Sequence, residues 1–244
     1  MQTQLLVLLL LPSAVRPASR IVGGAVAAIA DHPYQLSLRL HGVHVCGAAI
    51  LSEKIAVTAA HCLKVPGPYS IKAGSGHLQD GGVVAHVEQA IVHPHFDRAT
   101  NDFDICLLFL ATGLVYSDKI KPVKLPKEGE LVREGMVGQV AGWGTVSTAA
   151  DYHSEDLRAV ELPVWNDLRC RRAYLYGITE RMFCAGLPNG GKDSCKGDSG
   201  GAFVVHGTLY GIVSFGLDCA QPGFPGIYAN VPVLRSFIRE YAGF

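Results

Sequence analysis

The sequence predicts an all-β fold, built as barrels or sandwiches and finished by a C-terminal α-helix. Three observations carry that expectation. Residues 34–40 (YQLSLRL) alternate apolar and polar at every position, the period of a half-buried strand. Further β-like runs, VVAHVEQAIV (83–92), GQVAGWG (138–144), LRAVELPV (157–164) and GTLYGIVSFG (207–216), are separated mostly by Gly- or Pro-bearing gaps. Helical spacing is scarce and clearest at the end, where Leu234, Phe237, Ile238 and Tyr241 fall at i, i+3, i+4 and i+7.

In chain order, the first feature is an unbroken apolar run at residues 5–11. It is too short to span a bilayer and fits the hydrophobic region of a secretory signal, although no Lys or Arg precedes it. No later apolar stretch is long enough for an anchor, so a secreted, extracellular protein is expected. The strand at 34–40 follows, and then the run at 83–92. Residues 121–135 (KPVKLPKEGELVREG) read as a linker dividing the remainder into similar halves. Asn166 is placed to cap a short helix through RCRRAYLY, whose Arg169, Arg171 and Arg172 read as a solvated face. The terminal helix is expected to pack on the core.

The 244 residues suffice for one large domain or two small ones, and 21 basic side chains balance 21 acidic ones. That balance gives no reason to expect nucleic acid or an anionic membrane as a partner. Seven cysteines, none in a CxxC pair, suit an oxidising compartment and argue against a zinc ribbon. The odd one is expected to be Cys106, inside the apolar run ICLLFL, as a buried free thiol. GLPNGGK (186–192) resembles the start of a phosphate loop, but Asp193 stands where Ser or Thr is needed. His93 and His95 lack convergent ligands and read as a surface loop, and no cofactor or metal is expected.

Three stretches carry chemistry. TAAHC (58–62) supplies His61, NDFDICLL (101–108) supplies Asp102 and Asp104, and GDSGG (197–201) supplies Ser199. A nucleophile, an imidazole base and an orienting carboxylate are the parts that activate a serine, provided they meet in space. From the residues alone, either aspartate could be the orienting acid.

These motifs, with RIVGG at 20–24, AGWG at 141–144, DSCKGDSGG at 193–201, SFG at 214–216 and PGIY at 225–228, make the chain resemble the trypsin-like serine proteases of the chymotrypsin family. The motifs keep the family's order and spacing and cover essentially everything after Arg20. The resemblance implies two packed six-stranded β-barrels, at 21–125 and 126–244, forming one peptidase domain with a C-terminal α-helix. Residues 1–20 would be a signal peptide plus a short activation propeptide. It implies His61, Asp104 and Ser199 as the triad, Asp104 being chosen because the family's acid directly precedes the Ile that opens the buried run. Backbone N–H groups of Gly197 and Ser199 would form the oxyanion hole, where loss of one donor typically costs about 3 kcal/mol.

The resemblance further assigns Asp193 to the base of the specificity pocket, with Ser194, Ser214, Gly216 and Gly226 around it, and implies cleavage after Arg or Lys. Cutting between Arg20 and Ile21 would free an α-amine to pair with buried Asp198, making the protein a zymogen. It implies the disulfides Cys46–Cys62, Cys170–Cys184 and Cys195–Cys219. Partners would be polypeptide substrates and protein inhibitors of proteases, with the enzyme a monomer. The short stretch before Ile21 suggests a general, digestive enzyme rather than a cascade protease. Phe215 stands where the family usually has Trp, and Leu217 and Asp218 alter the pocket rim. The loop AGSGHLQDGGVVAHVEQ offers only Asp80 and Glu88 as carboxylates, so the calcium site of some relatives is not expected.

Overall fold

The computed structural model describes residues 23–145, 152–175 and 177–244. The secretory run and the Arg20–Ile21 bond lie outside the described residues. Six strands close into a barrel: β2 (Gln35–Leu40), β3 (Val43–Ile50), β4 (Ile55–Thr58), β5 (Tyr69–Ala73), β6 (Val83–Val92) and β7 (Cys106–Leu110). Their order is β2-β3-β4-β7-β6-β5, every described pair is antiparallel, and β5 returns to β2 through Leu38↔Ile71 and its neighbours. Fully buried Leu36, Leu38, Ile50, Ile71, Leu107 and Leu108 belong to the apolar core built on it. Cys106 is the free, buried thiol, and burial pushes it up to about 12, so it acts as a small apolar side chain.

The second sheet has seven strands. They are β1 (Ala25–Val26), β8 (Val137–Gly142), β9 (Arg158–Pro163), β10 (Met182–Ala185), β11 (Ala202–Val205), β12 (Thr208–Phe215) and β13 (Gly226–Asn230), in the order β1-β9-β8-β11-β12-β13-β10. The expected six-stranded closure is only partial here. Between β9 and β10 a single Val164↔Ala185 bridge joins the two ends, and the two-residue β1 occupies the remaining edge of β9. Phe183 and Tyr228, stacked on each other, and Phe203, edge-on to Phe183, fill this sheet's core.

Two local expectations are corrected. Strand β2 is not half-buried: Gln35, Ser37 and Arg39 are buried along with its leucines. Its polar face is covered too, with Ser37 bonded to His44 and Arg39 donating to the Leu78 carbonyl. The helix begun by Asn166, whose side chain accepts from the Leu168 and Arg169 N–H groups, is α1 (Asp167–Ala173) and stops early. Leu175 adopts a φ of 50°, which a helix cannot accommodate. Arg169 and Arg172 are exposed, as a solvated face requires, with Arg169 lying 4.0 Å over the Trp165 ring, while half-buried Arg171 pairs with Asp167 and donates to the Ile178 carbonyl. The terminal helix α2 (Arg235–Ala242) buries Phe237 and Ile238 as its spacing predicts.

Candidate active site

His61 sits in a short 3-10 turn, Ala60–Leu63, that follows β4, and Asp104 lies just before β7. Because β4 and β7 are paired, Thr58 opposite Cys106, the two residues leave neighbouring strand ends on the same side. His61 Nδ1 stands 2.7 Å from Asp104 Oδ2, and the His61 backbone N–H donates to Oδ1 at 2.9 Å. Ser214, on β12 of the other sheet, donates to Oδ2 at 2.5 Å. A carboxylate only accepts, so the ring hydrogen belongs on Nδ1 and Nε2 is left as the acceptor of the neutral ring. Asp102, the rival acid, turns away and binds Arg181 and Thr179 instead.

Ser199 lies in the loop entering β11, and its carbonyl accepts from the Gly47 N–H of the first barrel at 2.7 Å. The loop is pinned by neighbouring backbone bonds, Gly200 N–H to Val213 and Asp198 N–H to Cys195. Around Gly197 two peptides are fixed. The Lys196 carbonyl accepts from Thr145 N–H at 2.7 Å, and the Gly197 carbonyl accepts from His44 Nε2 at 3.0 Å. Burial, helped by neighbouring His153, pushes His44 down to about 3, so it is a neutral donor at working pH. Among the described residues no acceptor takes up the Gly197 and Ser199 N–H groups.

His61 and Ser199 line one cleft of about 350 Å³, together with Asp193, Ser194, Ser214, Gly216 and Gly226. Another cavity, of about 480 Å³ beside residues 26–30 and 74–77, holds Ser75, His77 and Asp156, but there the Ser75 hydroxyl is bonded to the His77 and Asp80 carbonyls rather than to the imidazole. Asp193 is only 2% exposed. One of its oxygens, Oδ2, accepts from Ala220 N–H at 3.0 Å, while the other, Oδ1, is buried with no partner. Burial pushes its carboxyl up to about 7. A Cβ on Gly226 would lie 2.8 Å from that free oxygen, so only glycine keeps it open. At Gly216 a Cβ would meet no protein atom nearer than 3.4 Å.

Asp198 is fully buried, accepting from Gly144 N–H at 2.8 Å and Cys195 N–H at 2.9 Å. Burial pushes it up to about 6. Cβ atoms on Gly142 or Gly144 would fall within 2.3 Å of its carboxylate, which explains the glycines of AGWG. The disulfides are Cys46–Cys62 behind His61, Cys170–Cys184, and Cys195–Cys219 beside the pocket. Cys46, Cys62 and His61 bring ligand-type atoms together, but the two sulfurs are bonded to each other and cannot hold a metal.

Sequence reasoning missed Tyr174. Its hydroxyl donates to the Pro225 carbonyl at 2.6 Å and accepts from Leu217 N–H at 3.4 Å, tying two pocket walls together. It also packs edge-on against Phe215, the residue that replaces the usual Trp. No local signal marks it, since its partners lie more than forty positions downstream.

A family model described as Trypsin matches residues 21–238. "Trypsin 5G1" of Aedes aegypti is 42% identical over 235 residues, covering 95% of this chain and 88% of its own length. A "Vitellin-degrading protease" of Bombyx mori is 40% identical, covering 91% and 85%. A "Trypsin" of Simulium vittatum is 41% identical, covering 86% and 87%.

Proposed function

We propose that this chain, which belongs to the trypsin family and is a trypsin-like serine endopeptidase, cuts polypeptides on the carboxyl side of Arg or Lys. The observation that carries the specificity is Asp193 Oδ1, a buried carboxylate oxygen without a protein partner at the base of the cleft that holds His61 and Ser199. A buried charge without a partner is costly, and a substrate guanidinium or ammonium would relieve that cost. Ser194, 3.4 Å from the Tyr228 hydroxyl, offers a second polar contact for the shorter lysine head.

In this reading Ser199 Oγ attacks the scissile carbonyl while His61 Nε2 takes the hydroxyl proton. Asp104, held by three donors, keeps the ring tautomer and stabilises the imidazolium. The Gly197 and Ser199 N–H groups receive the oxyanion. The imidazolium returns its proton to the leaving amine, and water repeats the sequence to release the acyl group and restore Ser199.

The same reading makes the chain a secreted zymogen. The amine freed at Ile21 would pair with buried Asp198, which among the described residues accepts from Gly144 and Cys195 and meets no countercharge. A digestive role, with protein substrates and protein inhibitors as partners and a monomer as the working form, belongs to the same reading. No helix among the described residues is long and apolar enough to cross a membrane.

The test uses protein cut at Arg20–Ile21 and matched peptides with Arg, Lys, Phe or Ala before the scissile bond. Arg and Lys should lead by about 10²-fold or more in kcat/KM, and Ser199→Ala should abolish that activity. A preference for Phe would refute the role of Asp193 and leave the triad standing.

A further inference from the structure

The segment carrying Asp104 cannot hold its own shape. Asn101 and Phe103 both adopt left-handed backbone, with φ of 56° and 55°, which is strained for residues that bear side chains. Something outside the segment must over-determine it, because Asp104 accepts three hydrogen bonds at once and tolerates little displacement.

The external hold comes from the second sheet. Arg181, next to β10, grips Asp102 with both arms of its guanidinium, Nε to Oδ1 at 3.0 Å and Nη2 to Oδ2 at 2.6 Å. Thr179 Oγ1 donates to the same Oδ1 at 2.8 Å, and Phe103 N–H does so at 3.0 Å. The guanidinium carbon lies 4.6 Å above the Phe103 ring, whose plane stacks on His93 at 4.5 Å. His93 in turn rests on Phe237 of α2. Both members of the ion pair are mostly buried, with side chains 22% and 15% exposed, so water competes weakly for them. Burial works against the Asp102 carboxylate, but the Arg181 and Thr179 bonds win and hold its pKa below the usual range.

We propose that Arg181 is a positioning residue for Asp104: by clamping Asp102 across the two sheets it holds the strained 101–104 turn in the one shape that aims Asp104 at His61. The proposal rests on Asp104 being the acid of the triad, the reading given above. Arg181 touches neither His61 nor the cleft and acts only through the turn. The two residues are 79 positions apart in the chain, so the clamp exists only once both sheets are packed.

The experiment compares Arg181→Met, which keeps the apolar stem over Phe103 but removes the fork, with Arg181→Lys, which keeps only the charge. Asp102→Asn and the Asp102→Asn/Arg181→Met double variant complete a cycle. All are the full chain cut at Arg20–Ile21, and rates are normalised to the fraction titrated by a serine-reactive reagent. The expected result is a five- to fifty-fold lower kcat for Arg181→Met with KM within twofold, and an intermediate kcat for Arg181→Lys. The double variant should be no worse than the worse single one. A purely structural role would lower the titrated fraction or Tm while leaving kcat per titrated site unchanged, and that result overturns the proposal. Additive losses in the cycle overturn it too. Asp104→Asn is the control: if it retains near-normal kcat, the triad reading has failed, whatever Arg181 does.

Discussion

Asp193, proposed above as the recognition element, is also a liability to the folded protein. With its midpoint raised to about 7, the folded protein binds its proton more tightly than the unfolded chain does. Stability therefore falls as pH rises from about 4, the unfolded midpoint, to about 7, and the full penalty is present above that. Asp193→Asn should raise Tm of the empty protein at pH 8, with the gap closing as pH is lowered toward about 4. An equal gap at both ends would show that Asp193 is not strained by burial. The same midpoint predicts that an amidinium ligand binds about tenfold less tightly per pH unit below about 7, because the neutral carboxyl must first ionise. Calorimetric titration across that range checks it.

Among the elements, the loop between β5 and β6 closes around an internal ammonium. Lys72 is buried, and its ammonium donates to the carbonyls of His77, Leu78 and Asp80 at 3.1, 2.9 and 2.9 Å. Ser75 Oγ donates to the His77 and Asp80 carbonyls as well, and Arg39 reaches Leu78. Three converging carbonyls satisfied by one ammonium form a closed unit, and its positive charge opposes a metal cation beside it. Lys72→Met should lower Tm by about 5–10 °C, the loss of charge-assisted bonds in a chain of this size. Calcium or a chelator should leave the wild-type Tm unchanged, and a rise with calcium would contradict the unit. The loop's sequence had suggested only that its carboxylates were too few. What fills the space was not legible, because Lys72 lies on β5 and looks there like an ordinary strand residue.

At the scale of the molecule, the site is assembled from both sheets. His61 and Asp104 come with the closed barrel, and Ser199, Ser214 and Asp193 with the other sheet. Cross-links between them at the site include Gly47 to Ser199, His44 to Gly197, Ser214 to Asp104, and Arg181 and Thr179 to Asp102. Such an interface can be switched by one added charge, which is the part proposed for the Ile21 amine. An Arg20→Gln chain exposed to an Arg-specific activator should stay uncut, with kcat/KM at least about 10²-fold below the cut enzyme, the scale of one lost buried ion pair. Full activity in the intact chain would refute the zymogen reading.

Contiguous strings determined much on their own. TAAHC, GDSGG and DSCKGDSGG carry their residues within a few positions of one another, so the family resemblance was legible before any coordinates, and that resemblance implied the three disulfide pairs, while strand-like runs gave the all-β class. The alternation at 34–40 gave the strand but misjudged its polar face, because periodicity reports which side chains differ and not what covers them. Tertiary structure decided everything that joins distant positions. It put Asp104, the acid that the resemblance implied, 2.7 Å from His61, left one oxygen of Asp193 without a partner among the described residues, brought Tyr174 to the pocket wall and locked Arg181 onto Asp102. The physical reason is that a hydrogen bond needs its partners within about 3 Å, and residues 40 to 110 positions apart reach that distance only through strand register and sheet packing.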